Sequence, residues 1–177
     1  MVRAFVAVRV PGVAADALEN FLSELRPLAR VRWVRREQFH ITLKFLGELE
    51  QGVIDEVIDA LAPMKSFTPF TVELNHIGAF PNLNSPRVLW LGGDKGAVEL
   101  GRLAKRVNDV LYETAGLERE SKKFTAHLTL ARLKDSVLPE ALVKRLGDVP
   151  VLSWECSKLV LMKSLLTPQG PIYSQLT

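Results

Sequence analysis

Two stretches of this 177-residue chain repeat one pattern: His40-Ile41-Thr42-Leu43 and His127-Leu128-Thr129-Leu130, 87 positions apart. Between them they use two of the three histidines. Histidine has an ordinary pKa near 6.5, so one copy can be neutral while another is protonated around neutral pH. Two imidazoles across a cleft make an acid and base pair. In-line displacement at a phosphodiester needs a base for the attacking oxygen, an acid for the leaving oxygen and donors for the non-bridging oxygens. The hydroxyls of Thr42 and Thr129 fit the last role. A metal site is the competing reading, since histidine is a common ligand. Such sites gather further histidines and carboxylates, and neither tetrad carries one; Glu37, Glu48 and Glu120 are the nearest acids. No metal is therefore expected.

Each tetrad falls in an expected strand. Side chains alternate between faces there, so His and Thr at i and i+2 project together and the apolar partners project into a core. A polar strand face is also ordinary on a one-sided antiparallel sheet, and duplication is what favours function. Parity puts Lys44 with His40 and Thr42, in reach of a phosphate, and turns Phe45 inward with Ile41 and Leu43. It sets Arg132 opposite to His127 and Thr129, although parity can fail at a strand end. His76 alternates with Phe70, Val72 and Leu74, which suits a packed or edge residue with no catalytic role.

The elements that must position these residues read as a repeated grammar. Strands are expected at Arg3 to Val10, Val31 to Val34, Phe39 to Leu46, Pro69 to Phe80, Arg87 to Leu91, Ala126 to Leu133, Leu152 to Leu166 and Ile172 to Leu176. Helical spacing of apolar residues marks Val13 to Leu28, Val53 to Leu61, and Val98 to Ala115 with Gly116 as its C-cap; a short helix is expected at Leu138 to Leu146. The fold class is α+β, one compact unit over residues 1–177 whose sheets are largely antiparallel.

The hydrophobic share of 47% and charged share of 24% are those of an ordinary globular domain, which excludes disorder and a collagen-like repeat. The single cysteine, Cys156, excludes an internal disulfide and a multi-cysteine zinc site. Arg9 and Pro11-Gly12 cut the amino-terminal apolar run too short for an export signal, and no apolar stretch approaches the ~18 residues of a membrane span. A cytoplasmic protein with no membrane partner and no obligate protein partner is expected. The net charge of +3 is mild. Its placement is more telling, because Arg30, Arg32, Arg35 and Arg36 precede the first tetrad and Lys122 and Lys123 the second, a funnel for phosphate-bearing partners.

These residues resemble the 2H phosphoesterases and, within them, the RNA 2',3'-cyclic phosphodiesterases also called 2'-5' RNA ligases. The similarity runs through His40-Ile41-Thr42-Leu43-Lys44-Phe45-Leu46-Gly47, Gly78-Ala79-Phe80-Pro81-Asn82, Pro86-Arg87-Val88-Leu89-Trp90-Leu91-Gly92, His127-Leu128-Thr129-Leu130-Ala131-Arg132 and Leu165-Leu166-Thr167-Pro168-Gln169-Gly170-Pro171, in that order. The resemblance implies two pseudo-symmetric α+β lobes around a central cleft. It implies hydrolysis of an RNA terminal 2',3'-cyclic phosphate to a 2'-phosphomonoester, with no cofactor, and 2'-5' ligation as a reverse of 2'-5' cleavage. His40 would protonate the leaving 3' oxygen, His127 would activate water, Thr42 and Thr129 would hold phosphate oxygens, and Lys44 and Arg132 would contact substrate. The near-identical tetrads do not order the two histidines by themselves. Phe80, Phe124 and Trp33 are base-stacking candidates for which core packing competes. Two alternatives stand beside this enzyme acting on RNA ends: a non-catalytic module binding an RNA end or phosphoribose, and a phosphodiesterase for small cyclic nucleotides.

Overall fold

The computed structural model describes residues 1–135 and 137–177. One large sheet runs through it in the strand order β10-β9-β1-β3-β7-β6-β5, with every recorded pairing antiparallel. Its strands are β1 (Val2–Arg9), β3 (His40–Leu49), β5 (His76–Phe80), β6 (Val88–Gly92), β7 (Leu128–Arg132), β9 (Val160–Thr167) and β10 (Gly170–Gln175). A two-residue strand, β2 (Arg32–Trp33), adds to β7. A separate pair joins β4 (Ser66–Leu74) to β8 (Leu152–Lys158). The helices are α1 (Gly12–Leu25), α2 (Gln51–Leu61), α3 (Ala97–Ala115) and α4 (Glu140–Val143). The α+β class and the antiparallel sheets agree with the expectation from the sequence.

Amphipathicity explains the helices. Leu18, Phe21, Leu22 and Leu25 bury one stripe of α1, and Leu100, Leu103, Val107 and Leu111 one stripe of α3. Gly116, at φ 63°, takes the left-handed C-cap, and its N–H donates to the Leu111 and Tyr112 carbonyls. Two predicted strands are each broken in two. The Pro69 to Phe80 segment breaks at Asn75, leaving β4 in the small sheet and β5 on the edge of the large one; the Leu152 to Leu166 segment breaks at Leu159 in the same manner. A strand that changes sheet keeps its apolar alternation across the corner, so the pattern conceals the break. Arg26–Leu28, predicted as the end of α1, forms a 3-10 turn around Pro27, and the Leu138 to Leu146 helix shrinks to α4.

The large sheet has two unlike faces. Ala4, Val6, Val8, Ile41, Leu89, Leu91, Leu128 and Ala131 enter the main core, against which α3 packs. On the other face a small cluster of Phe5, Ala7, Val160 and Met162, with Tyr173 against it, is the floor beside the two tetrads. The halves of the sheet meet at β3 and β7, where Ile41 pairs with Leu128. No helix of the described residues is long and apolar enough to cross a membrane.

Candidate active site

The Ile41–Leu128 rung puts both apolar partners in the core and leaves His40, Thr42, His127 and Thr129 on the open face, where all four line one cleft of about 400 Å³. Its antiparallel sense sets each histidine beside the threonine of the other tetrad. Both imidazoles are held alike. Nδ1 of His40 donates to the Gln38 carbonyl at 2.6 Å, and Nδ1 of His127 to the Thr125 carbonyl at 2.6 Å. A carbonyl only accepts, so the proton sits on Nδ1 and Nε2 is left for chemistry. The Thr42 hydroxyl lies 3.0 Å from Nε2 of His40. Aromatic rings back each histidine: Phe5 and Tyr173 stand 4.8 and 5.4 Å from the His40 ring, and Phe80 stands 5.0 Å from His127.

These surroundings bias both rings toward the neutral form. Burial lowers the His40 pKa below its ordinary value, against the Gln38 carbonyl, and the charges of His127, Arg9 and Arg132 lower it further. Burial also lowers His127, with Arg132 adding to it and the Thr125 carbonyl opposing. Arg3, Arg32, Arg35 and Arg132 line the cleft, and no carboxylate lines it among the described residues. A cleft with four guanidinium groups and no acid among the described residues selects an anion.

The bulges in β3 and β7 decide which neighbours join. Along β1, Ala7 pairs with Thr42, Val6 with Lys44 and Phe5 with Phe45, so Leu43 is an extra residue without a partner. Along β6, Trp90 pairs with Thr129, Leu89 with Ala131 and Val88 with Arg132, so Leu130 is the extra one. One inserted residue reverses the parity of the residues after it until a second insertion restores it, which in β3 happens at Leu46. Lys44 therefore shares the core side with Val6, in place of the predicted side of His40 and Thr42. It is 7% exposed, and its ammonium donates to Asn108 Oδ1 at 2.8 Å and to the Glu118 carbonyl at 2.6 Å. Burial lowers its pKa. Phe45, expected inside, is turned out beside the cleft with the Arg3 guanidinium 4.6 Å above its ring. Arg132 likewise reaches the cleft.

Sequence reasoning gave no site role to Phe5, Tyr173 or Arg3 and turned Phe45 the wrong way. The signal for Phe45 was available, because the 87-residue offset carries it onto Arg132. Trp33 lines the cleft rim while its indole N–H donates to the Ala29 carbonyl; Phe124 lines a neighbouring groove with Lys122 and Lys123. Phe80 packs between His127 and Trp90. His76 is exposed on the edge strand β5, away from the cleft. Cys156 is buried, and burial pushes its thiol up to about 11, which leaves it inert as a nucleophile. Among the described residues no group of three or more His, Cys, Asp or Glu gathers as a metal site.

A model of the 2'-5' RNA ligase superfamily matches residues 14–167. The chain belongs to this superfamily. It is 38% identical over 176 residues to an RNA 2',3'-cyclic phosphodiesterase of Archaeoglobus fulgidus, covering 98% of this chain and 97% of that one. With the Aeropyrum pernix protein of the same name it shares 44% identity over 149 residues, 82% of this chain and 84% of the relative. A crystal structure from Thermus thermophilus superposes with a TM-score of 0.80 at 29% identity, covering 99% of this chain and 95% of that one. E. coli LigT complexed with 3'-AMP, at 23% identity and TM-score 0.78 over 99% and 95% of the two chains, shares the fold.

Proposed function

We propose that this member of the superfamily hydrolyses the 2',3'-cyclic phosphate at an RNA end to a 2'-phosphomonoester, using His40 and His127 as acid and base without a metal. The observation that carries it is the pair of imidazoles, each with Nδ1 satisfied by a carbonyl, in a cleft that holds four arginines and no carboxylate among the described residues. The relatives named RNA 2',3'-cyclic phosphodiesterase support the same reading.

His127 Nε2 takes a proton from water as that water attacks phosphorus. His40, protonated, gives its Nε2 proton to the departing 3' oxygen. Burial biases both rings toward neutrality, and the arriving phosphate anion offsets that bias for His40 by Coulomb attraction. Thr42, Thr129 and Arg132 face the non-bridging oxygens, where hydrogen bonds from preorganised donors strengthen as charge builds. Lys44 acts from behind the strand. The same groups serve the reverse of 2'-5' cleavage, with a ribose hydroxyl in place of water. Residues 1–177 work as a single bilobal domain, and the cytoplasm is where RNA ends of this kind would be met.

The deciding test is incubation with a chelator and an oligoribonucleotide ending in a 2',3'-cyclic phosphate, followed by identification of the product. A 2'-phosphate is expected. A 3'-phosphate would exchange the roles of the histidines, and unchanged substrate would sink the reading in favour of a binding module.

A further inference from the structure

The cleft continues past the histidines. Arg32 and Arg132 line it, and both also line an adjoining groove of about 540 Å³ with Arg30, Lys134 and Asp135. In the β2–β7 ladder these two arginines are direct partners. Like charges directly opposite on an antiparallel pair destabilise it. Neither guanidinium makes an ion pair or hydrogen bond with a described side chain, although Asp135 lies along the same groove. Two cations held side by side with no internal anion are what an external phosphate bridges, and the planar guanidinium fork suits it.

The chemistry of the substrate says which phosphate. A 2',3'-cyclic end spends O2' and O3' on the reacting phosphate, so the strand can leave only through its 5' oxygen, whose phosphate is the next anion. On the opposite side of the cleft, a groove of about 820 Å³ that shares Thr42, Phe45 and His127 with it sets Asp109, Glu113 and Glu120 among its cations. There Lys105 and Arg119 are already paired with Asp109, and Lys122 and Lys123 share the groove with Glu113 and Glu120. The Arg32 side sets a single carboxylate, Asp135, among four cations, and neither Arg32 nor Arg132 is paired with a described side chain.

We propose that Arg32, bordered by the Arg132 that faces the reacting phosphate, is a second phosphate subsite that takes the phosphodiester adjacent to the cyclic end, which makes the substrate an oligoribonucleotide in preference to a free cyclic mononucleotide. This rests on the hydrolase reading above. The test uses dinucleotides ending in a cyclic phosphate whose one internal linkage is either a phosphodiester or a neutral methylphosphonate, assayed with the wild-type protein and with Arg32→Gln. In the wild type, the neutral linkage should lower kcat/KM roughly ten-fold, through KM, as loss of a charge-assisted contact does. In Arg32→Gln the two dinucleotides should converge, and Arg32→Lys should restore part of the difference. Equal kcat/KM for both linkages in the wild type, or an unchanged ratio between them in Arg32→Gln, overturns the subsite. Absence of turnover on every cyclic-phosphate substrate overturns instead the hydrolase reading on which it rests.

Discussion

Phe45 and Arg132 occupy equivalent places, five residues beyond the two histidines, and both reach the cleft because Leu43 and Leu130 are inserted ahead of them as bulges. The same floor thus gains an aromatic face from one half and a cation from the other. Their loss should differ in kind. Phe45→Ala should cost about 1–3 kcal/mol in kcat/KM as a stacking surface disappears, with little change in its slope against salt. Arg132→Ala should lower kcat/KM comparably and also flatten that slope, since a cation facing phosphate is removed. Steady-state kinetics at several salt concentrations separate the two, and an identical salt response would refute the division.

Lys44 is a buried cation whose partners have no other use for it. Lys44→Ala leaves Asn108 Oδ1 with one donor, the Glu120 N–H, and the Glu118 carbonyl with none of its side-chain partners. We expect a loss of roughly 1–3 kcal/mol of stability, read as a lower urea midpoint at constant m. Because the Leu117 to Thr125 segment leads into His127, kcat should fall as well. Unchanged stability would mean that the ammonium contributes nothing net.

Acid should act on both stability and turnover through the same imidazoles. Their folded pKa values lie below the ordinary 6.5, so between the folded and unfolded values the unfolded chain binds more protons and stability rises with pH. Their contribution is therefore intact above about pH 7, begins to be lost as pH falls below about 6.5, and is lost in full as pH falls through the lower folded values. Thermal melts from pH 7.5 to 5.5 should show a shallower decline in His40→Asn than in the wild type. Turnover in His40→Asn and His127→Asn should drop by about 10²–10⁴, and wild-type rates in either would reject the acid and base pair.

Gly78, Trp90 and Thr129 stand in register across β5, β6 and β7. The Trp90 ring lies against Gly78, where a Cβ would collide with it, and Phe80 bridges that ring to His127. Gly78→Ala must displace the indole. A red-shifted tryptophan emission, a loss of about 1–3 kcal/mol in stability and a lower kcat are expected; an unaltered emission spectrum would contradict the packing.

How much of this was readable beforehand depends on where the regular periods hold. Helices α1 and α3 announce themselves because their apolar stripes are long and regular, and His40 and His127 because a duplicated tetrad is conspicuous. Lys44 and Phe45 were assigned to each other's sides because the bulge at Leu43 adds one residue without any sign in composition and turns over the side chains between it and the second bulge at Leu46. The corners at Asn75 and Leu159 were invisible for a related reason: alternation reports which face is buried and is silent about which sheet buries it. Arg132 showed the way out, since its repeat partner is Phe45.

The meeting of Ile41 with Leu128 carries one more consequence. Neither half of the chain holds both imidazoles, and the segments that carry them are far apart in sequence, so loop closure must be completed before the cleft exists. During refolding, recovery of turnover should track the slowest, global phase, with no active early species. Two fragments cut between the tetrads should each be silent alone and regain activity only on reassociation.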